Sequence, residues 1–223
     1  MVAQTKLQYE ANPVIIPYFA RNKALNKDGE PLILGSRKDV VIWLQNKGLF
    51  LPTSLEWSER RAYLARHDPE MEQDMITGIP EYVDDLIFWP NPENGKYSSK
   101  LNPQPKPGKY PLRVVYSFLD KRNDGSVVYD GGEREELPDF PKGSGHLKDN
   151  IPRLGLVKGA YLLSDNSFLH EEGARALVRG WWGDHDRRFY AVAGWWPSFP
   201  NWYVGFRQVR RGLVVGEKIE FPR

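Results

Sequence analysis

Histidine, carboxylate and tryptophan are the side chains through which this sequence could do chemistry. Cysteine is not among them, because the chain has none. That removes disulfides, thiolate metal ligands and cysteine nucleophiles together. The four histidines, His67, His146, His170 and His185, are scattered, and none forms a ligand-spaced pair. The acids at Asp84-Asp85 and at Glu133, Glu135 and Glu136 read as solvated carboxylates. Asp120 to Gly125 (DKRNDG) begins like a calcium loop. It has Arg122 at the third position and Gly131 where the closing Glu should stand, so a hairpin turn is predicted instead. Asp184-His185-Asp186-Arg187-Arg188 offers acid, base and cation side by side. No nucleophile or partner acid can be set beside it from the sequence, so it reads as a solvated loop with local ion pairs, whose charges could tune partner choice at a rim.

The aromatic residues carry a stronger signal. Five of the eight tryptophans fall between Trp181 and Trp202, and the stretch from Trp181 to Phe206 holds ten aromatic residues. It reads RGWWGDHDRRFYAVAGWWPSFPNWYVGFR. The intervening Gly, Pro, Asp and Asn favour turns and loops. Large aromatics on loops offer contact area at low conformational cost, as recognition surfaces require. The chemistry implied is contact rather than turnover. Within the stretch, Phe189, Ala191 and Ala193 alternate with Tyr190, Val192 and Gly194 at strand period, so one set faces inward. Phe206 is expected to be buried and Arg207 to pair internally.

These residues need a frame. Pro13 to Phe19 reads as a first strand held between prolines, within an N-terminal extension covering residues 1–35. Ser36 opens a helix with Asp39 three positions on, and Val40, Val41 and Leu44 fall on one face beside Trp43; Gly48 is a natural stop. Thr53 and Glu56 form a second capping box, and the helix it opens is predicted to run to about Arg66 with Leu55, Trp57, Ala62 and Tyr63 on its buried face. Residues 67–110 read as an irregular insertion, with Asn91 to Gly95 and Pro103 to Gly108 as turn or extended polyproline segments. Arg113 to Leu119 has strand character, Arg122 to Gly125 turns it back into Val127-Val128-Tyr129, and Asp130 to Asn150 is a polar loop. From Gly159 the chain reads as short strands and turns. Helices and strands segregated along the chain predict an α+β fold, as a single domain over residues 1–223.

Composition excludes several function classes. The chain has 223 residues and a net charge of +2, too small for the basic stripe that nucleic-acid binding needs. The first residues, MVAQTKLQYE, lack an apolar core, so no signal peptide is expected. No apolar run reaches membrane-spanning length, so no membrane insertion is expected either.

Two segments together carry a resemblance. Phe50-Leu51-Pro52-Thr53-Ser54-Leu55-Glu56-Trp57, preceded by Trp43-Leu44, resembles the LPT-x-x-EW motif of the formylglycine-generating, sulfatase-modifying-factor family. Arg179-Gly180, followed by Gly205-Phe206-Arg207-Gln208-Val209-Arg210, is similar to the RGG…GFR-x-V-R ending of that family. The likeness covers roughly residues 36–211. It implies a C-type-lectin-like fold: two helices packed on a small twisted antiparallel sheet, with long loops. The formylglycine-generating enzymes use a cysteine pair that this chain lacks, and the iron-dependent sulfoxide synthases use spaced histidines that it also lacks. Calcium occurs in the superfamily, so the resemblance leaves it open as a cofactor without locating it. A third branch, the variable proteins of diversity-generating retroelements, uses the fold only to bind. The stretch 179–211 resembles the ligand-binding region of that branch. The positions matching its variable sites are Trp181, Trp182, His185, Val192, Gly194, Trp195, Phe199, Asn201, Trp202 and Tyr203. In that branch most variable sites derive from asparagine codons by changes at adenine. The implied partner is a protein or cell-surface macromolecule. The alternatives are an enzyme of the same fold with metal-dependent chemistry, and a sugar-binding lectin that stacks tryptophan on sugar rings.

Overall fold

The computed structural model describes residues 15–19, 23–77, 79–164, 174–180, 190–195, 197–198, 204–215 and 218–220. The class is α+β, with three α-helices among the described residues and mostly antiparallel sheets. A strand β1 (Ile15–Phe19) precedes helices α1 (Arg37–Gln45), α2 (Ser54–His67) and α3 (Pro69–Thr77). Strands β2 (Glu81–Phe88), β3 (Leu101–Asn102), β4 (Leu112–Val115), β5 (Phe118–Lys121), β6 (Val127–Asp130), β7 (Glu133–Glu136) and β8 (Gly145–His146) follow. After a 3-10 turn at Pro152–Leu154 come β9 (Tyr161–Ser164), β10 (Ala174–Gly180), β11 (Tyr190–Trp195), β12 (Gly205–Phe206), β13 (Val209–Val215) and β14 (Lys218–Glu220). No helix among the described residues is long and apolar enough to cross a membrane.

The central sheet runs in the order β7-β4-β2-β10-β11-β9-β8, with β12 also paired to β2. Most neighbours are antiparallel, but β11–β9 and β12–β2 are parallel. β1, β13 and β14 form one small sheet, and β3, β6 and β5 another. On one face of the central sheet α1 contributes Val40, Val41 and Leu44, which pack with Tyr82, Leu86, Val178 and Phe206. On the other, α2 and α3 contribute Trp57, Leu64 and Met75, which pack with Val83, Ile87, Leu177, Ala191 and Leu162. The alternation of even and odd residues along β2 between these two cores is the strand period at work.

Both early helices start where their local sequence says they should. Ser36 accepts from the Asp39 N–H and Thr53 from the Glu56 N–H, and each acid reaches back to the cap backbone, so both capping boxes are complete. The face of α2 differs from expectation: Ser54, Trp57 and Leu64 are buried, whereas Ala62 is exposed. Residues 67–110, read as irregular, instead hold α3 and β2, the latter buried along its full length. The polar stretch 130–150 contributes β7 and β8. The predicted strand from Arg113 to Leu119 is broken into β4 and β5 at Tyr116, whose φ of 57° is unusual for a residue with a bulky side chain. The predicted hairpin turn at Arg122 to Gly125 is present, closed by Arg122 donating to Ser126 and Gly125 donating to Arg122.

The acid pair in β2 is the main reversal. Asp84 and Asp85 are buried, not solvated. They project to opposite faces, and each ties one helix to the sheet. Asp84 accepts from the Arg37 guanidinium of α1 at 3.0 Å and from the Tyr116 N–H at 2.6 Å. Asp85 accepts from the Ser54 N–H in the first turn of α2 at 2.5 Å and from Arg113 Nε at 2.5 Å. Burial opposes the charge on Arg113, but Asp85 and Glu135 outweigh it and hold its pKa above the ordinary value.

Candidate functional site

Of the ten residues singled out for contact, Trp181, Trp182, His185, Phe199, Asn201, Trp202 and Tyr203 lie outside the described residues, as does Phe189. Val192, Gly194 and Trp195 lie on β11. The described structure fixes the scaffold from which these segments spring. Ala191 and Ala193, expected to face inward, are buried in the core beneath α2. Phe206 is fully buried, with Trp43 of α1 edge-on to it at 5.5 Å.

Register decides where the two aromatic segments begin and end. Gly180, the last residue of β10, is paired with Tyr190, the first of β11, so residues 181–189 are closed at that rung. At the other end of β11, Trp195 pairs with Ala176. The following chain is caught at once: the Pro197 carbonyl accepts from the Lys38 N–H in the first turn of α1 at 2.9 Å. It returns as Val204, which is buried, and enters β12 beside the start of β2. Trp195 and Gly205 therefore stand at opposite ends of the sheet.

The return point coincides with the root of the first segment. The Gly205 N–H donates to the Pro80 carbonyl at 2.8 Å. A Cβ on Gly180 would fall 3.2 Å from the Pro80 Cα. Gly180 and Gly205 thus flank one residue, Pro80, and the two aromatic segments share a base. Gly180 also has a φ of 115°, a conformation that L side chains rarely adopt. Gly180→Ala is expected to cost about 1–3 kcal/mol through backbone strain, read as a lowered urea midpoint. A variant as stable as the parent would show that this glycine is not required.

An ion cluster lies next to the shared base. Arg207 reaches Glu81 at 3.0 Å and Asp74 of α3 at 3.2 Å, and Lys23 lies 3.4 Å from Asp74 and 3.8 Å from Glu81. Glu81 is wholly buried and Arg207 nearly so, whereas the Asp74 side chain is 54% exposed. Burial works against the Arg207 charge, yet Glu81 and Asp74 more than compensate and raise its pKa. The expectation of internal pairing for Arg207 therefore holds, and its partners are now known.

Arg179, at the end of the same strand as Gly180, is buried on the α2 side. It donates to the Ser54 and Ser58 hydroxyls at 3.1 and 3.0 Å and to the Leu154 carbonyl at 3.3 Å, and lies over the Trp57 ring. Burial lowers its pKa to about 10, with Asp85 opposing that shift and Arg61 adding to it. Arg179 thus ties β10 to α2 and the turn at Leu154. Sequence reading missed Pro80, Glu81 and Asp74 as parts of this base. Only the turn-forming Pro80 carried a local signal, and nothing linked it to residues 100 or more positions away.

Among the described residues no three His, Asp or Glu side chains converge as a metal site. Compared with protein-family models, curated proteins and solved structures, the chain matches none.

Proposed function

We propose that this protein binds a ligand rather than transforming one, and that it displays an aromatic-rich surface from residues 181–203 on a C-type-lectin-like scaffold. The observation that carries this reading is the shared base at Pro80, which gathers the start of one aromatic segment and the end of the other. Neighbouring ion pairs, Arg207 and Lys23 on the buried Glu81, hold that base in place. Fixed roots under turn-rich aromatic segments supply what affinity needs: large anchors that lose little freedom on contact. The partner is a protein or another cell-surface macromolecule.

On the sequence resemblance, the protein is the variable protein of a diversity-generating retroelement. Changes at the adenines of an asparagine codon can yield His, Val, Gly, Phe and Tyr, but not Trp. Near-identical copies of the gene should therefore vary at His185, Val192, Gly194, Phe199, Asn201 and Tyr203. Trp181, Trp182, Trp195 and Trp202 should stay constant as anchors. Sequencing such copies checks this. Variation spread evenly along the chain, or a gene with no reverse transcriptase and no near-copy of this segment beside it, would remove the retroelement reading.

A further inference from the structure

The turn at residues 91–95 carries chemistry that the binding reading does not use. Asn94 is the only asparagine of the chain followed by glycine. Glycine has no Cβ to screen its backbone nitrogen, so Gly95 N is the least hindered for attack on the side-chain amide of the residue before it. Pro92, Glu93 and Asn94 are exposed. Two hydrogen bonds close the turn: the Asn91 N–H donates to the Lys96 carbonyl and the Gly95 N–H to the Asn91 carbonyl, each at 2.8 Å. A third fixes the reactive amide, with the Lys96 N–H donating to Asn94 Oδ1 at 3.0 Å. Negative charge builds on that oxygen when a nitrogen attacks Cγ, and a backbone N–H is already aimed at it. The same glycine is half of a latch. The Gly95 carbonyl accepts from the Gly108 N–H at 2.9 Å, and a Cβ on Gly95 would fall 2.8 Å from the Gly108 oxygen. Beside it the Tyr97 hydroxyl donates to the Tyr110 carbonyl at 2.8 Å. The latch ties the turn to the largely exposed stretch 103–110.

We infer that Asn94-Gly95 is a site of spontaneous deamidation, and that conversion to isoaspartate releases this latch. The Gly95 N–H first leaves the Asn91 carbonyl, at the small cost of opening an exposed turn. The Gly95 nitrogen gives its proton to hydroxide and bonds to Asn94 Cγ. Nδ2 leaves as ammonia, taking a proton from water, and a cyclic imide remains. Water then opens the imide at either carbonyl. One route gives aspartate. The other gives isoaspartate, in which the main chain runs through Cβ and Cγ and is longer by a methylene. Overall, one water is consumed and one ammonia is released. The aspartate product adds a negative charge and keeps the chain path. The isoaspartate product displaces Gly95, and the close approach of Gly95 to Gly108 leaves no slack for that.

The full chain would be incubated at neutral and at mildly alkaline pH, digested, and mapped by mass spectrometry, with isoaspartate detected by enzymatic methylation. The peptide holding Asn94 should convert first among the asparagine peptides, and faster as pH rises. Its native rate should stay within about tenfold of its rate in urea, because exposed turns open at almost no free-energy cost. Asn94→Gln, which would need a larger ring, should lose the conversion. In the isoaspartate form, separated by chromatography, the Gly108 N–H should exchange about tenfold faster than in the parent. Asn94→Asp, which adds the charge without lengthening the chain, should leave that exchange unchanged. Conversion at Asn94 that trails other asparagines, or falls far below its rate in urea, would overturn the site. Unchanged Gly108 exchange in the isoaspartate form, or an equal acceleration in Asn94→Asp, would overturn the release of the latch.

Discussion

Arg207→Met is expected to lower stability by about 3–5 kcal/mol, because it strands a buried carboxylate without its main partner. Glu81 has no solvent exposure, and its nearest remaining cation, Lys23, lies at 3.8 Å. The contact with Asp74 adds little, since that side chain is 54% exposed and screened by water. Urea unfolding gives the loss directly. Two further readouts tie it to the ligand base. Hydrogen exchange at the Gly205 N–H, which donates to the Pro80 carbonyl, should accelerate, because β12 loses its anchor. The double variant Glu81→Leu with Arg207→Met should recover most of the lost stability, since removing both charges removes the desolvation penalty. A single variant within 1 kcal/mol of the parent would mean that the cluster is not the clamp described above.

Asp85→Ala should be of comparable size, about 3–5 kcal/mol, for a related reason. One carboxylate serves two donors: the Ser54 N–H at the start of α2 and the Arg113 guanidinium, each at 2.5 Å. Its charge also acts favourably on Arg179, which is buried without a carboxylate in its described hydrogen bonds. Truncation leaves a helix-end N–H unpaired and two arginines short of negative charge. Glu135, at 3.8 Å from Arg113 and 38% exposed, is too distant to replace it. Asp85→Asn keeps an acceptor oxygen but not the charge, so its loss should fall between parent and alanine variant in denaturant titrations. An asparagine variant as stable as the parent would show that hydrogen bonding alone matters at this position.

The two capping boxes were legible because a cap is settled within four residues: Ser36 with Asp39 and Thr53 with Glu56 need no distant partner. The β5–β6 turn was legible for the same reason. Strand β2 was not. Its sequence, EYVDDLIF, sets two adjacent acids in the middle of a buried run, and an isolated reading gives buried carboxylates a prohibitive cost. The cost is offset by Arg37, 47 positions away, and Arg113, 28 positions away, and such pairings leave no trace in the local pattern. Helix α3 was hidden likewise, between a predicted helix end and residues read as loop.

The candidate site divides along the same line. The α+β class, the crowding of aromatics between Trp181 and Tyr203, and the inward set Ala191 and Ala193 were readable from the chain alone, because composition and strand period are local properties. The chain also marked Phe206 as buried and Arg207 as paired. That Gly180 and Gly205 meet at Pro80, that Glu81 is the partner of Arg207 across 126 positions, and that Tyr161 pairs with Tyr190 emerged with the fold. Those facts depend on which strands lie side by side and in what register. That choice is made by burying two cores at once, and no short stretch of chain encodes it.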